Sequence, residues 1–359
     1  MSLTEFVTLG RSGLRVSPLC LGTMTFGQEH SWGSTEDDAK AILDRYLERG
    51  GNFIDTANLY TFGHSEKIIG NLVGHVPSKR DRLVIATKFY SNLFPGDPNG
   101  GGTGRKSILA ACEESLRRLQ TDYIDLYWMH AWDRHTPIEE TLRALDDLVR
   151  SGKVRYIGFS DTPAWKVAQA QTIALLRGYA PLIALQIEYS LLERTVEGEL
   201  IPAALELGLG VTPWSPLKGG ILSGKYTREN SGRKSSDRTF LPKLGEKELA
   251  IIDRLAQIAS DQGTTPARVA LAWVRARPGV TSTIIGARTL DQLDQNLGAL
   301  AVELTQEQVA ELDELSTPQL NFPAQFLGHA AAIMHGGISV NGDAPAPSPF
   351  APTAASPKF

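Results

Sequence analysis

Residues 52–60 read NFIDTANLY and combine a short apolar run with one acid and one phenol. Residues 52–55 follow two glycines and precede a polar turn, which predicts a buried strand that ends at Asp55. Tyr60 lies on the next loop, ahead of an apolar segment that begins a helix. The two side chains are expected to face one cavity, the alternative being that Asp55 only caps the turn and Tyr60 only packs.

Strand-like and helix-like segments alternate on both sides of this stretch. Strands are predicted at eight places: residues 17–21, 52–55, 83–87, 124–127, 156–159, 183–186, 209–213 and 283–285. Eight strand and helix pairs close a TIM-type barrel. The predicted fold class is therefore α/β, a (β/α)8 TIM barrel with an N-terminal β-hairpin in residues 5–18 and an irregular C-terminal tail.

The helix predicted at residues 35–49 shows the pattern on which the barrel prediction depends. Ser34 or Thr35 can cap its start, since each has an aspartate three residues later. Five apolar side chains then share one face at helical spacing: Ala39, Ile42, Leu43, Tyr46 and Leu47.

Two glycine-rich stretches favour other folds but lack the required spacing. An open doubly wound sheet carries GxGxxG after its first strand, whereas residues 21–27 read LGTMTFG. Residues 100–107, GGGTGRKS, resemble a phosphate loop but place Arg105 between the glycine and the lysine. We interpret them as a flexible loop.

The length of 359 residues and the 42% hydrophobic composition allow a large core. Residues 1–316 are predicted to form one barrel domain. Residues 317–359 form a C-terminal extension, partly disordered or packed near the barrel mouth, because the chain ends in a Pro, Ala and Ser-rich tail. Residues 215–246 are too long for an ordinary connection, which suits a functional lid.

Charge and cysteine content exclude several classes of partner. The formal net charge of -4 leaves no basic excess for nucleic acid. Cys20 and Cys112 lack metal-ligand spacing, so we expect free thiols in a reducing cytoplasm and no metal. The sequence shows no signal peptide and no apolar run of ~20 residues, so we expect no membrane span and a cytoplasmic location. The oligomeric state stays open.

Barrel enzymes take their catalytic groups from the C-terminal ends of several strands. Lys88 ends the third predicted strand and His130 follows the fourth, as Asp55 and Tyr60 do for the second. A phenol has an ordinary pKa near ~10, which a neighbouring ammonium is expected to lower. Asp55 would hold Lys88 charged, Tyr60 would act as general acid, and His130 would hold the substrate oxygen.

Several motifs carry a resemblance to a known family. They are GGNFIDTANLY at residues 50–60, GHSEKIIG at 63–70, Thr87-Lys88, DYIDLYWMH at 122–130, GKVRYIGFS at 152–160 and WSPLKGGILSGKY at 214–226. Over roughly residues 5–316 the chain resembles an aldo-keto reductase. The last motif is similar to the branch that contains bacterial reductases and potassium-channel β-subunits. The resemblance implies a catalytic tetrad of Asp55, Tyr60, Lys88 and His130.

The resemblance also implies a cofactor site. Its residues would be Gly22, Thr23, Met24, Asp55, Ser160, Asp161, Gln186, Trp214, Ser215, Leu217, Gly219, Lys225, Ile285, Gly286, Arg288, Gln292 and Asn296. Trp214 would stack on the nicotinamide, and Arg288 would bind a 2′-phosphate, which favours NADP(H) over NAD. The family usually has Asn where this chain has Asp161. Asp161 would either contact the carboxamide or cap the helix that starts at Thr162-Pro163.

The loops after the strands also supply predicted substrate-binding residues: Trp32, Tyr60, Phe89, Tyr90, His130 and Trp132. Large apolar walls bind a substrate by burial. The loop at residues 95–104 offers only Asp97 as a charged side chain before its helix. We therefore expect neutral aldehydes and bulky ketones to be preferred over keto acids.

The function predicted from these residues is an NADP(H)-dependent oxidoreductase that moves a hydride between nicotinamide and a carbonyl or the corresponding alcohol. Two alternatives stay open. One is a cofactor-binding regulatory subunit with little turnover. The other is a barrel aldolase that uses Lys88 as a Schiff-base nucleophile.

Overall fold

Eight parallel strands form a nearly closed barrel in the computed structural model, which describes residues 2–230, 244–342, 344–346, 348–351 and 356. The barrel strands are β3 (Leu19–Gly22), β4 (Phe53–Asp55), β5 (Val84–Phe89), β6 (Ile124–Met129), β7 (Val154–Ser160), β8 (Leu182–Glu188), β9 (Gly210–Trp214) and β10 (Thr283–Gly286); they follow β1 (Val7–Thr8) and β2 (Arg15–Val16). Their order is β10-β3-β4-β5-β6-β7-β8-β9. All eight predicted barrel strands are confirmed.

The ends of the sheet meet beside β9. The Val211 amide donates to Gly279 O at 3.0 Å and the Thr281 amide donates to Val211 O at 2.8 Å. These bonds join the segment before β10 to β9 and bring the carboxyl ends of all eight strands to one opening, called the mouth below.

The predicted N-terminal hairpin is confirmed as the antiparallel pair of β1 and β2, and it packs against the end of the barrel opposite the mouth. Leu9 and Val16 are fully buried among the barrel's interior side chains. Gly10 has φ +58°, and a Cβ there would lie 2.2 Å from Ile183 O. Only glycine fits so close to the strand.

Helices fill the connections between the strands. They are α1 (Glu36–Glu48), α2 (His64–Ile69), α3 (Pro77–Arg80), α4 (Arg105–Leu119), α5 (Ile138–Arg150), α6 (Ala164–Arg177), α7 (Leu200–Leu207), α8 (Glu246–Asp261), α9 (Pro266–Arg275), α10 (Leu290–Leu297), α11 (Gln306–Ser316) and α12 (Ala324–His335). Thr35 is the cap of α1 and accepts from the Asp38 amide at 3.1 Å. Ala39, Ile42 and Tyr46 are buried on its inner face, as predicted.

Strand alternation separates the core into two layers. In β5, Val84 and Ala86 face the barrel interior, whereas Ile85 and Phe89 pack in the shell between strands and helices. Successive side chains of a strand point to opposite faces. Lys88 therefore points inward with Val84 and Ala86, and its neighbour Phe89 cannot do so.

The loop predicted at residues 100–107 and the irregular tail predicted after residue 316 both contain helical residues in the structure. Residues 100–107 are predicted to be a flexible loop, but residues 105–107 form the start of α4. The tail was expected to be irregular, but it contains the helix α12. An added Cβ at Gly198 would lie 3.4 Å from Ala324 Cβ, which places the start of α12 beside the connection after β8.

Part of the predicted lid at residues 215–246 lies outside the described residues, at 231–243. The described part begins with a 3-10 turn at Lys218–Ser223. None of the helices in the described ranges is long and apolar enough to cross a membrane.

Candidate active site

A buried ion pair lies at the mouth where β4 and β5 end. Lys88 Nζ contacts Asp55 Oδ2, and the two side chains are 0% and 3% exposed. The same ammonium donates to Thr56 O at 2.8 Å and to the Tyr60 hydroxyl at 3.1 Å. The structure thus brings together three of the four predicted catalytic residues in one hydrogen-bonded chain.

Burial and neighbouring charges together determine the protonation state of Lys88. Burial lowers the pKa of Lys88, but Asp55 and Tyr60 raise it more, so the pKa stays above its ordinary value of 10.5. Lys88 is therefore an ammonium ion at neutral pH. This protonation disfavours a Schiff-base role, which needs a neutral amine.

The pKa of Tyr60 is raised, whereas the sequence predicts that it is lowered. Burial raises the pKa of the phenol above 10.0, and Asp55 adds to this, whereas Lys88 lowers it by less. The cost of desolvating a buried phenolate exceeds the stabilisation that the Lys88 ammonium gives it. Tyr60 consequently holds its proton at neutral pH and is a hydrogen-bond donor.

His130, the fourth predicted catalytic residue, lies edge-on to Tyr60. The two ring centroids are 6.0 Å apart and the ring planes meet at 82°. Burial, helped by Lys88, lowers the pKa of His130 to about 3. The imidazole is therefore neutral, and its buried Nδ1 has no hydrogen-bond partner within the described part of the chain.

Two polar residues hold Asp55 in place. Gln186 Nε2 donates to Asp55 Oδ1 at 3.0 Å, and the Thr23 hydroxyl donates to the Asp55 carbonyl oxygen at 3.0 Å. Thr23 is fully buried, and Ser65 donates to its carbonyl oxygen at 2.8 Å. The prediction that Thr23 contacts the cofactor is therefore wrong, because its polar atoms are engaged beneath Asp55.

A second buried ion pair, not predicted from the sequence, supports the strand carrying Lys88. Glu66 is fully buried, accepts from Arg118 Nε at 2.6 Å and accepts from the Thr87 hydroxyl at 2.5 Å. Thr87 precedes Lys88 and points to the opposite face. The signal in the sequence is an acid two residues before the apolar pair Ile68 and Ile69 of α2, in the motif at residues 63–70.

At the ends of β7 and β8 the structure gathers three predicted nicotinamide residues. The buried Ser160 hydroxyl has no partner in the described ranges. Gln186 O accepts from the Asp161 amide at 3.2 Å. A buried hydroxyl without a partner is a site at which a ligand amide can bind.

Asp161 bonds across the mouth rather than to its own helix. Its Oδ1 accepts from Trp214 Nε1 at 3.0 Å. Helix α6 begins at Ala164, and its cap residue Pro163 makes no side-chain capping bond. The helix-cap alternative for Asp161 is therefore wrong. The carboxyl is open to solvent, but the walls of the mouth partly desolvate it and raise its pKa to about 6.

The residues predicted to bind the adenosine end of the cofactor and its 2′-phosphate also lie together, around the start of α10. The Arg288 amide donates to Gln292 Oε1 at 2.9 Å, and Asn296 Nδ2 donates to Gly286 O at 3.0 Å. Arg288 is exposed, and no carboxylate among the described residues forms an ion pair with it. The helix N-terminus and the guanidinium make this corner electropositive.

The remaining predicted cofactor residues line the ends of β3, β9 and β10. Ser215 Oγ accepts from the Gly219 amide at 3.2 Å, Met24 is 42% exposed, and Lys225 is exposed. Gly22 and Gly286 are partners in neighbouring strands. Leu217 is half-buried and Ile285 is buried, so any contact from Ile285 is limited to its backbone.

The aromatic residues predicted to bind the substrate differ in their exposure. Phe89 is fully buried and packs on Tyr127 with ring centroids 4.8 Å apart, so its assignment to the substrate site is wrong. Tyr90 is 36% exposed. Trp32 and Trp132 are half-buried in loops at the mouth, and Trp132 meets Trp165 edge-on at 5.5 Å.

Comparisons with known proteins identify the family. The sequence model of the Aldo/keto reductase family matches residues 18–317. The chain belongs to the aldo/keto reductase family. The family expected from the motifs is thereby confirmed, and the barrel, the hairpin and the chain of Asp55, Lys88 and Tyr60 are features of this aldo/keto reductase.

Relatives of this aldo/keto reductase are described as oxidoreductases. An uncharacterized oxidoreductase of Bacillus subtilis is 42% identical over 320 residues, covering 87% of this chain and 95% of the relative. An aryl-alcohol dehydrogenase of Pestalotiopsis microspora is 36% identical over 329 residues, covering 90% and 84%. A norsolorinic acid reductase of Emericella nidulans is 37% identical over 324 residues, covering 88% and 82%. The family and these relatives support an oxidoreductase.

Proposed function

We propose that the protein is an NADP(H)-dependent oxidoreductase that interconverts an aldehyde or ketone and its alcohol, with Tyr60 as general acid and base. The observation that carries the proposal is the buried chain from Asp55 through Lys88 to the Tyr60 hydroxyl, with Lys88 fully buried. A nicotinamide cofactor, when bound, supplies or accepts the hydride.

In carbonyl reduction, Tyr60 gives its hydroxyl proton to the substrate oxygen. The phenolate left behind is stabilised by the Lys88 ammonium, whose Nζ lies 3.1 Å from the phenol oxygen. Asp55 holds that ammonium in place. Neutral His130 can donate a ring N–H to the same substrate oxygen and orient it.

The described residues fit a nicotinamide cofactor at two places. The unpartnered Ser160 hydroxyl, with Asp161 and Gln186 beside it, suits the carboxamide, and Trp214 offers an aromatic face. Arg288 and the start of α10 suit a 2′-phosphate. These features favour NADP(H).

Arg288→Ala should weaken NADPH binding by about 10- to 100-fold and NADH binding much less. The reason is that only NADPH carries the extra phosphate, and hydrogen bonds between charged groups contribute about 1.5–3 kcal/mol. Titration of both cofactors measures the two dissociation constants. Arg117→Ala is the matched control, because it also removes an arginine, one that is 69% exposed on α4. It should change neither dissociation constant. Equal losses for NADPH and NADH in Arg288→Ala would contradict the assignment.

Asp161 should favour NADP+ over NADPH when it is ionised, because the oxidised ring carries the positive charge. With a pKa of about 6, the carboxyl gains its charge as the pH rises through 6. A screened interaction of about 1 kcal/mol changes the affinity ratio about fivefold. We expect the ratio of the NADPH to the NADP+ dissociation constant to rise between pH 5 and pH 8, and Asp161→Asn to remove this rise. A ratio independent of pH in the native protein would contradict the prediction.

The activity is tested by a panel of carbonyl compounds with NADPH, and of alcohols with NADP+. We expect neutral aryl aldehydes and bulky ketones to give higher kcat/KM than small keto acids, because Tyr90, Trp32 and Trp132 offer aromatic surface at the mouth. The aryl-alcohol dehydrogenase among the relatives supports this class. A panel without turnover in either direction would overturn the proposed function, and the best kcat/KM with keto acids would overturn the substrate class.

A further inference from the structure

The indole of Trp214 is held at the mouth by a single polar contact. Trp214 is half-buried at the end of β9, and its ring nitrogen, a donor only, gives its hydrogen to Asp161 Oδ1 at 3.0 Å. The two residues come from different strand ends and are 53 positions apart in sequence. The bond therefore spans the mouth between β7 and β9.

Trp214 packs against the barrel's interior cluster on one side and borders open space on another. A cavity of about 370 Å³ lies beside Trp214, with Ile187, Val196 and Leu200 among its walls. This space is a groove open to solvent, so close-packed side chains do not cover that side of the ring. Without a directional contact, the indole has room to turn away from the mouth.

Asp161, in contrast, is rigidly placed. Its amide donates to Gln186 O at 3.2 Å, and its carbonyl oxygen accepts from the Trp132 amide at 3.4 Å. Its φ of +39° lies in the left-handed region, which Asp, Asn and Gly tolerate better than other residues. The backbone of Asp161 is thus held at the ends of β7 and β8, and its carboxylate accepts the hydrogen bond from the indole.

We propose that Asp161 is a positioning residue that fixes the orientation of Trp214, so that the indole presents its face to the ring of a bound nicotinamide. The part concerning nicotinamide rests on the proposed function. The orientation itself is a property of the cofactor-free protein. The carboxylate thereby has a role beyond the carboxamide contact implied for this position.

Three variants separate this role from others. Asp161→Gly removes the acceptor and suits the left-handed backbone. Asp161→Asn keeps an oxygen that can accept from the indole. Trp214→Phe keeps an aromatic ring and removes the donor, so the glycine change made in this background measures every effect of Asp161 other than the indole bond.

The near-ultraviolet circular dichroism of the cofactor-free protein is the first measurement. We expect Asp161→Gly to change the tryptophan bands, Asp161→Asn to keep them, and Asp161→Gly in the Trp214→Phe background to change nothing further. Far-ultraviolet spectra establish that each variant is folded, and Asp161→Ala replaces the glycine variant if that one does not fold. Unchanged tryptophan bands in the folded Asp161→Gly or Asp161→Ala variant would overturn the proposal.

NADPH titration is the second measurement. Asp161→Gly should raise the dissociation constant about fivefold more in the native background than in the Trp214→Phe background, as expected for one lost hydrogen bond. Equal effects in both backgrounds would overturn the positioning role. Failure of the proposed function would appear instead as absent turnover in the native protein, which leaves the spectra of the cofactor-free variants unaffected.

Discussion

Tyr60→Phe should lower the rate of carbonyl reduction by about 100- to 10,000-fold, the range for loss of a general acid. The substitution removes the hydroxyl that lies 3.1 Å from Lys88 Nζ and keeps the ring that faces His130. No predicted nicotinamide contact is lost, so the NADPH dissociation constant should be nearly unchanged. Steady-state kinetics with an aryl aldehyde and a direct NADPH titration measure the two quantities.

Tyr123→Phe is the matched control for this variant. Its hydroxyl donates to Asp81 at 3.1 Å in an exposed contact, away from the Asp55–Lys88 pair. We expect its turnover to equal that of the native protein. Turnover near the native rate in Tyr60→Phe would remove Tyr60 from the mechanism, and a parallel loss of NADPH affinity would indicate damage to the cofactor site instead.

The reaction site could be predicted from sequence because strand ends and barrel topology determine where side chains meet. Asp55 ends β4 and Lys88 lies within β5 at the same opening. An eightfold alternation of strands and helices is sufficient to bring them together. The same alternation, applied residue by residue along β5, would also have excluded Phe89 from the mouth.

Properties that depend on burial and on distant contacts could not be predicted in the same way. The pKa of Tyr60 is set by desolvation against the effect of Lys88, and the sequence identifies only the charged partner. The bond between Trp214 and Asp161 depends on loop conformation at two strand ends. Helix α12 contains good helix formers such as Ala, Leu and Met, but its place beside Gly198 depends on contacts with Leu320 and Ala324 that are distant in sequence.

Lys88→Met should destabilise the fold by about 3–5 kcal/mol, because it leaves the Asp55 carboxylate buried without its partner. Asp55 is 2% exposed, and among the described residues only Gln186 would still donate to the carboxylate. Urea denaturation gives the free energy of unfolding. Lys40→Met is the matched control, since the Lys40–Asp44 pair on α1 is 58% and 36% exposed and should contribute little.

The double variant Asp55→Asn/Lys88→Met tests whether the loss comes from the unpaired charge. It removes both charges and should therefore be more stable than Lys88→Met alone, although catalysis stays abolished in both. A double variant at least as stable as the native protein would mean that the ion pair is kept for its effect on Tyr60 rather than for stability. A Lys88→Met protein as stable as the native one would show that water or a local rearrangement compensates the unpaired charge of the Asp55 carboxylate. A double variant less stable than Lys88→Met would assign the loss to packing around residue 88.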